Sequence, residues 1–387
     1  MKLSKLVLVA IITAGTIYSS AKAADNLEDS FKKGTLSGTL KSFYRDVSVY
    51  NAVDKTGFAV GGDLGYVTDT FYGFGAGVTF QTSHTLGLKD NNLAEVDTDV
   101  AISQTLLSEA YLSYKCDKTK SLIKIGRQYI DTPLINTNTI RLINDSAEAI
   151  TLTNTYFANT TIFAGAVDKW YDRSGTETDH ENHIYTAYAT NSSIKGLGLT
   201  GQITTQSDSD TLVYLDVAYT LPITFPLTIG AQYYGTYFDS SANKEDTALY
   251  GVMVGTKVAG IGLSAYYNKT DKDNDVNVGY GQGTDWTYNA VEWWTGYWAG
   301  TESYQGKVSY DFSQVGIKGL SAFTRYVVYD NSVNPANDAK EWDIDVKYVF
   351  AGSLKGLDAR VRYSDTKFDT ATANDGHDLR LIVNYKF

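Results

Sequence analysis

Strict alternation of apolar and polar residues constrains the fold of this chain more than any other feature. The last ten residues, "DLRLIVNYKF", place Leu379, Leu381, Val383, Tyr385 and Phe387 at every second position. A period of two predicts a β-strand with one apolar face and one mostly polar, charged face. The pattern recurs in "KEWDIDVKYVF", "LDARVRYS", "ESYQGKVSYDF", "YGFGAGVTFQT" and "TLLSEAYLSYK".

About eighteen segments of about ten residues follow this pattern, an even number of the length needed to span a membrane. They begin near residues 35, 57, 72, 104, 121, 146, 160, 181, 197, 210, 226, 246, 261, 303, 320, 341, 356 and 377. The sequence therefore predicts an all-β fold, a transmembrane antiparallel β-barrel of about eighteen strands.

The links between these segments differ in length in a regular way. Every second link is short, as at 67–71, 116–120, 158–161, 220–226, 259–262 and 351–356. The intervening links include three long, polar stretches at 84–104, 130–145 and 270–302. Short periplasmic turns and long extracellular loops are typical of outer-membrane barrels. All four prolines lie in links, as expected where proline is excluded from a hydrogen-bonded ladder.

The first 23 residues predict export from the cytoplasm. They combine Lys2 and Lys5, an apolar run, and the small-x-small stretch Ala21-Lys22-Ala23, which is the pattern of a cleaved secretory signal peptide. We therefore expect two parts, a signal peptide at 1–23 and one barrel domain at 24–387, placed in the outer membrane of a Gram-negative cell.

Composition excludes several other classes of protein. The formal net charge of −11 argues against nucleic acid as a partner. A single cysteine, Cys116, rules out an intramolecular disulfide. Beyond the leader, no stretch approaches the roughly 18 apolar residues of a membrane helix. The 30 tyrosines and 15 phenylalanines cluster near segment ends, where outer-membrane barrels carry aromatic girdles.

The polar faces of the predicted strands should line the interior. A barrel of about eighteen strands is too wide for side chains to fill, so its lumen holds water and forms a pore. Seven charged residues are predicted to face inward from the last four strands: Arg325, Asp343, Asp345, Lys347, Arg360, Arg362 and Arg380. Two interpretations stay open, since such residues either attract charged solutes or pair across strands and rigidify the wall.

Two of the long links have compositions that predict a constriction. The stretch "IDTPLINTNTIRLINDS" is apolar for an exterior loop and carries Asp131 and Arg141, so we expect it to fold into the barrel rather than over the rim. The stretch "DWTYNAVEWWTGYWAGTES" sets Glu292 among tryptophans, which suit sugar or cation contacts as well as loop packing. Link 130–145 is therefore predicted to narrow the lumen, and link 270–302 supplies a counterpart with aromatic and acidic side chains.

The first of these links also carries a family resemblance. "IKIGRQYIDTPLINTNTIRLIND" followed by "AITLTN" resembles the same region of the OprD-type outer-membrane porins. Gly126, Pro133, Arg141 and Leu142 match the family pattern, whereas Ile130, Ile143 and Asn144 depart from it. The start "GTLSGTLKSFYRD" and the end "LRLIVNYKF" are similar to major outer-membrane proteins of epsilonproteobacteria.

The resemblance implies a passive porin for small hydrophilic solutes and ions, with eighteen strands and a constriction formed by the third and seventh outer loops. It also implies outer-membrane lipid as the surroundings and a last strand, ending in Phe387, that the barrel-assembly machinery reads. Monomer and homotrimer stay open as assembly states, as do cation and anion preference.

A calcium site, a lipid hydrolase and a structural barrel or adhesin are the alternatives to a simple porin. Asp271, Asp273 and Asp275 suggest calcium, but Val276 and Gln282 stand where an EF-loop needs glycine and glutamate. No cofactor is therefore expected, with structural calcium as an alternative. A lipid hydrolase would need one of four histidines as base, and no serine lies in a Gly-x-Ser-x-Gly pattern. We expect no enzyme; an adhesin or structural barrel is the other alternative.

Overall fold

The computed structural model describes residues 24, 26–50, 52–87, 96–281, 283, 286–293, 295–370 and 375–387. The predicted signal peptide at 1–23 lies outside these residues. Within them, a short helix precedes an eighteen-stranded antiparallel sheet that closes on itself. The fold is therefore the all-β barrel that the alternation predicts.

The helix is α1 (Leu27–Lys32), and the strands before the third outer link are β1 (Thr35–Val49), β2 (Lys55–Val67), β3 (Phe74–His84), β4 (Gln104–Cys116) and β5 (Ser121–Gln128). The link itself contains the hairpin β6 (Asp131–Thr132) and β7 (Ile135–Asn136). The next strands are β8 (Ser146–Asn154), β9 (Thr160–Tyr171), β10 (Glu177–Asn191), β11 (Leu197–Gln206), β12 (Asp210–Leu221) and β13 (Leu227–Phe238). The last are β14 (Thr247–Val258), β15 (Ile261–Thr270), β16 (Thr301–Asp311), β17 (Leu320–Asn331), β18 (Ala339–Val349), β19 (Leu357–Phe368) and β20 (Gly376–Lys386).

All eighteen predicted strand starts lie within four residues of the observed ones. The largest displacement is at β10, which was predicted near residue 181 and begins at Glu177. The first seven residues of β10, "ETDHENH", are all polar, and the pairing of β10 with β9 shifts register between Asp179 and Ile184. Because such a stretch shows no alternation of apolar and polar residues, the pattern places the start of β10 too late in the sequence.

The two faces of the sheet have the polarity expected of a barrel in lipid. On β20, Leu381 and Val383 are each 42% exposed on the outside, while Asp378 and Arg380 are buried on the inside. A soluble sheet would bury the apolar face instead. An apolar outer belt and a polar interior are the arrangement that a bilayer stabilises.

Closure of the sheet depends on the first and last strands. β1 pairs with β20 over eleven positions, from Thr39 opposite Lys386 to Val49 opposite Gly376. Gly38 and Phe387 exchange backbone hydrogen bonds of 3.2 and 3.1 Å at the end of this ladder. Closure leaves no unpaired strand edge, which a chain in hydrocarbon cannot tolerate. Among the described helices, none is long and apolar enough to cross a membrane.

The two rims differ as the sequence predicts, although only three of the links on the long-loop rim are long. On that rim the links at 85–103, 129–145 and 271–300 are long, but those at 172–176 and 207–209 are tight turns. The long links are hereafter loop 2 (85–103), loop 3 (129–145) and loop 7 (271–300). The opposite rim carries the turns at 68–73 and 117–120, among others.

Candidate functional site

Loop 3 crosses the interior of the barrel. Near its start, Leu134 is 1% exposed and packs against Leu212 and Tyr234, which face inward from β12 and β13. Near its end, Leu142 packs against Phe43 of β1 and Ile382 of β20. These two contact regions lie on opposite sides of an eighteen-stranded barrel. The apolar side chains of loop 3 are therefore buried inside the barrel, where the wall covers them.

Polar side chains of the wall hold the backbone of loop 3. Gln202 accepts a hydrogen bond of 2.9 Å from the backbone N–H of Leu134, and Gln81 accepts one of 2.9 Å from Asn144. Lys41 donates to three carbonyl oxygens of the loop, those of residues 139, 140 and 141, at 3.1, 3.2 and 2.7 Å. A buried loop needs such partners because its backbone groups lack a strand ladder.

Loop 7 joins loop 3 inside the barrel. Residues Ile135 and Tyr280 form a parallel β-bridge, with Asn136 donating to the Tyr280 carbonyl at 3.0 Å and Tyr280 donating to the Leu134 carbonyl at 2.9 Å. Gly279 makes this approach with a φ of +133°, and a Cβ there would lie 2.7 Å from the carbonyl oxygen of Leu134. The two loops thus form one partition that narrows the lumen.

Glu292 of loop 7 lies at the centre of a cluster of arginines. Its carboxylate accepts from Arg380 at 2.7 Å, from Arg362 at 2.9 Å and from Arg325 at 3.3 Å. The three arginines come from β20, β19 and β17, and each side chain is 12% exposed or less. One carboxylate of loop 7 therefore binds inward-pointing side chains from three strands of the wall.

Wall carboxylates continue this cluster along the inner face. Asp345 binds Arg360 and Arg362, whose Nε atoms lie 2.8 and 2.7 Å from it. Asp343 binds Arg325. Asp378 binds both Arg380 and Arg45 of β1, with Nη2 of Arg45 at 2.7 Å. We call the five arginines the arginine column: Arg45, Arg325, Arg360, Arg362 and Arg380.

Loop residues extend the arginine column toward the long-loop rim. Asp99 of loop 2 lies 3.3 Å from Arg45, 3.4 Å from Arg173 and 3.7 Å from Arg141. Burial, followed by the charges of Arg380 and Arg45, lowers the pKa of Arg141 to about 10. Arg141 stays protonated at neutral pH, and its buried Nε and Nη1 atoms have no hydrogen-bond partner in the described structure.

The predicted site residues are not all in one place. Arg141, Glu292, Arg325, Asp343, Asp345, Arg360, Arg362 and Arg380 belong to the connected ion-pair cluster. Lys347 lies apart from it and pairs with Asp358 at 3.7 Å. Asp131 is in the β6–β7 hairpin, where burial raises the pKa of its carboxyl group to about 6.

Several members of the cluster were missed from the sequence. Arg45 and Lys41 occupy alternate inward positions of β1, so the period-two pattern that found Arg360 and Arg362 could have found them. Asp97 and Asp99, by contrast, lie in loop 2, where no periodicity tells which way a side chain points. Arg173 lies in a short link and gave no signal either.

The described residues contain no group of three or more His, Cys, Asp or Glu side chains arranged to hold a metal ion. The aspartates considered for calcium have other partners. Asp271 accepts from the backbone N–H of Ala248 at 3.1 Å, and Asp275 accepts from that of Ala299 at 2.7 Å. Gln282 lies outside the described residues. The expectation of no cofactor, with structural calcium as the alternative, stays a prediction.

Comparison with known proteins places this architecture among outer-membrane channels. Residues 55–387 match the family described as outer membrane porin, OprD family. The structure is similar to that of Pseudomonas aeruginosa OccK9 (OpdG), with 19% identity, a TM-score of 0.81 and coverage of 92% of this chain and 99% of that chain. Acinetobacter baumannii OccAB1 is 17% identical, with a TM-score of 0.81 and coverage of 95% and 98%. No curated protein matches this sequence significantly.

Proposed function

The chain belongs to the OprD family of outer membrane porins, and we propose that its own lumen favours anions. Such porins give small solutes a passive route across the Gram-negative outer membrane. The fold is that of a channel, and we extend the proposal to a barrel that works without catalysis and without a cofactor. Its solutes would pass the partition of loops 3 and 7 along the arginine column.

The observation that carries this proposal is the way in which the charges are paired. The carboxylates of Asp343 and Asp378 are each 1% exposed, and Glu292 is shared by three arginines, so these acids are occupied in holding guanidinium groups. Arg141 keeps two buried nitrogen atoms, Nε and Nη1, without a hydrogen-bond partner beside the cluster, as Asp343 keeps its Oδ1. A guanidinium fork offers paired donors that match a carboxylate or phosphate. The connected ion pairs of the described residues join seven arginines to six carboxylates, so the surplus charge of the cluster is cationic despite the acidic net charge of the chain.

A planar-bilayer experiment tests both parts of the proposal, the open pore and its preference for anions. Purified protein should give discrete conductance steps, and its reversal potential in a salt gradient should have the sign of anion preference. Arg141→Gln should weaken that preference by about twofold, since one charge near the narrowest region is lost. Arg127→Gln is the matched control, because Arg127 stacks on Tyr171, 3.4 Å from the ring centre, on the outer face of the wall. Cation preference in the unaltered protein would contradict the proposed selectivity but not the pore.

The rival functions have direct tests. A lipid hydrolase would release fatty acid from phospholipid, whereas we expect none. A structural barrel or adhesin would insert into the bilayer without conducting. Recognition of the last strand by the assembly machinery and association into a homotrimer stay proposals; the outward position of Phe387, which is 52% exposed, is compatible with both.

A further inference from the structure

A short helix precedes the barrel and leaves its apolar residues uncovered. α1 (Leu27–Lys32) begins at Asn26, whose side chain accepts a hydrogen bond of 2.8 Å from the backbone N–H of Asp29. Leu27 and Phe31 are 60% and 56% exposed. At about 100° per residue, these two side chains lie about 40° apart on one face of the helix. The apolar face is thus defined but has no partner within the described chain.

Backbone hydrogen bonds fix α1 to the short-turn rim. The N–H of Asp69 donates to the carbonyl of Ser30 at 2.9 Å, and the N–H of Ala24 donates to the carbonyl of Thr70 at 3.0 Å. Asp69 and Thr70 both belong to the turn between β2 and β3. Ser30 is 2% exposed, so this side of the helix is packed on the barrel. The orientation of α1 is therefore set by the rim.

Tyr66 of β2 shows which side of the wall carries the helix. Tyr66 is directly opposite Leu36 of β1, and residues opposite each other in a ladder point to the same face. Leu36 and Leu40 are each 58% exposed, whereas Phe43, of opposite parity on β1, packs against loop 3 in the lumen. Leu36 and Tyr66 therefore face outward, toward lipid.

The outward side chain of Tyr66 reaches the end of α1. Its hydroxyl group donates to the carbonyl oxygen of Phe31, and its ring lies against Gly34, where any larger residue would collide with it. The helix consequently meets the wall on the same outward side as Leu36 and Leu40. The C-terminal end of α1 therefore lies beside the apolar belt of β1 at the rim.

The remaining faces of α1 complete the pattern of an interfacial helix. Glu28 and Lys32 form an ion pair, and Asp29 lies 3.9 Å from Lys33. By the same helical geometry Glu28 and Lys32 lie about 160° from Ser30, on the side of α1 that points away from the barrel. The helix thus has one side on the barrel, one apolar side beside the lipid belt and one charged side toward water.

We propose that α1 is an interfacial anchor whose Leu27 and Phe31 side chains insert into the periplasmic leaflet of the outer membrane. Continuity with Leu36 and Leu40 identifies the occupant of the apolar face as lipid. An apolar helical face lying in the headgroup region is a recognised mode of membrane attachment. Since β1 begins at Thr35 and closes the barrel with β20, the anchor would also fix the depth of the closing seam.

Fluorescent labelling of the full-length protein tests this proposal. Cys116, the native cysteine, is first changed to serine, and a polarity-sensitive label is attached at Phe31→Cys or, as the matched control, at Lys32→Cys. The two positions are comparably exposed in the protein, Phe31 at 56% and the side chain of Lys32 at 65%. They differ by about 100° around the helix, so lipid contact should distinguish them.

Each labelled barrel is placed in nanodiscs of phosphatidylethanolamine and phosphatidylglycerol that hold one barrel. Lipid spin-labelled near the headgroup should quench the label at position 31 at least about twofold more than that at position 32, and iodide should quench in the reverse order. Leu27→Cys with Glu28→Cys as control repeats the test should the first pair fail to fold.

Two results would overturn the proposal. Equal access of iodide to both labels would place the apolar face in water. Protection of position 31 in larger vesicles that is lost in single-barrel nanodiscs would identify a second copy of the chain as its cover instead of lipid.

Discussion

The carboxyl group of Asp131 lies in loop 3, apart from the ion pairs of the arginine column. Burial raises its pKa to about 6, because the charged form loses hydration without a cation to replace it. The folded-state pKa is thus above the ordinary value of about 3.9. The folded protein binds the extra proton, so this group lowers the stability of the fold as pH rises from about 4 to about 6.

A pH-dependent change in ion preference follows from this position. As pH falls from about 7.5 to about 5, Asp131 should become neutral and the preference for anions should increase. Asp131→Asn should remove this step and give, at pH 7.5, the reversal potential that the unaltered protein has at pH 5. Reversal potentials measured across this range check the prediction. An identical pH profile in the variant would assign the titration to another group, such as one of the histidines near the strand ends at the long-loop rim.

At the level of single residues, the sequence predicts which charges face inward on regular strands but not which groups they meet. Arg360 and Arg362 follow from alternation, yet their shared partner Asp345 and the role of Glu292 depend on side-chain positions. Asp99 is separated from Arg45 by 54 positions along the chain, and nothing in the sequence indicates that they meet. Ion pairs across a lumen are set by the closed fold rather than by spacing.

At the level of elements, the meeting of loops 3 and 7 depends on Gly279. Its φ of +133° is one that side chains rarely adopt, and a Cβ would lie 2.7 Å from the Leu134 carbonyl oxygen. Gly279→Ala should therefore separate the two loops and cost about 1–3 kcal/mol of stability. We expect a lower urea midpoint of unfolding and a larger, noisier conductance, because the partition no longer packs tightly.

Gly306 provides the control for this change. It lies in β16, and a Cβ there would meet nothing within 4 Å, so Gly306→Ala should leave both conductance and stability unchanged. A quiet channel of unaltered conductance in Gly279→Ala would show that loop 7 is not needed for the constriction.

The elements themselves differ in how well the sequence predicts them. Strands such as β18 and β20 alternate along most of their length, because one face must be apolar toward lipid and the other largely polar toward water. The entry of loop 3 into the barrel was predicted from its apolar residues, and burial of Leu134 and Ile135 agrees with it. The β6–β7 hairpin was not predicted, since two-residue strands are too short to show a period.

At the scale of the whole molecule, Glu292 connects loop 7 to the last four strands, to three of them through its side chain and to β18 through its backbone. Its side chain is 12% exposed and binds Arg325, Arg362 and Arg380, while the backbone N–H groups of Glu292 and Trp293 donate to Glu341 at 3.0 and 2.9 Å. One carboxylate therefore neutralises part of the arginine column and also holds the partition against the wall. Both functions should change together when its charge is removed.

Glu292→Gln leaves three buried guanidinium groups with less negative charge to balance them. Removing one partner of a buried ion pair typically costs about 3 kcal/mol, so we expect a lower urea midpoint of unfolding. In the channel that does fold, the uncompensated arginines should increase anion preference by at least about twofold, measured as the reversal potential in a salt gradient. High salt should reduce the difference from the unaltered protein, because mobile ions in the lumen screen the field of the uncompensated charges.

Glu302→Gln is the control for Glu292→Gln, because it removes a carboxylate that does not face the lumen. Glu302 pairs with Lys269 at 2.8 Å on the outer face of the rim, where an exposed pair contributes about 1 kcal/mol or less. This control should match the unaltered protein in selectivity and nearly in stability. If Glu292→Gln also left selectivity unchanged, the arginine column would act as a rigid wall of paired charges, and the path of the solute would have to lie along another side of the lumen.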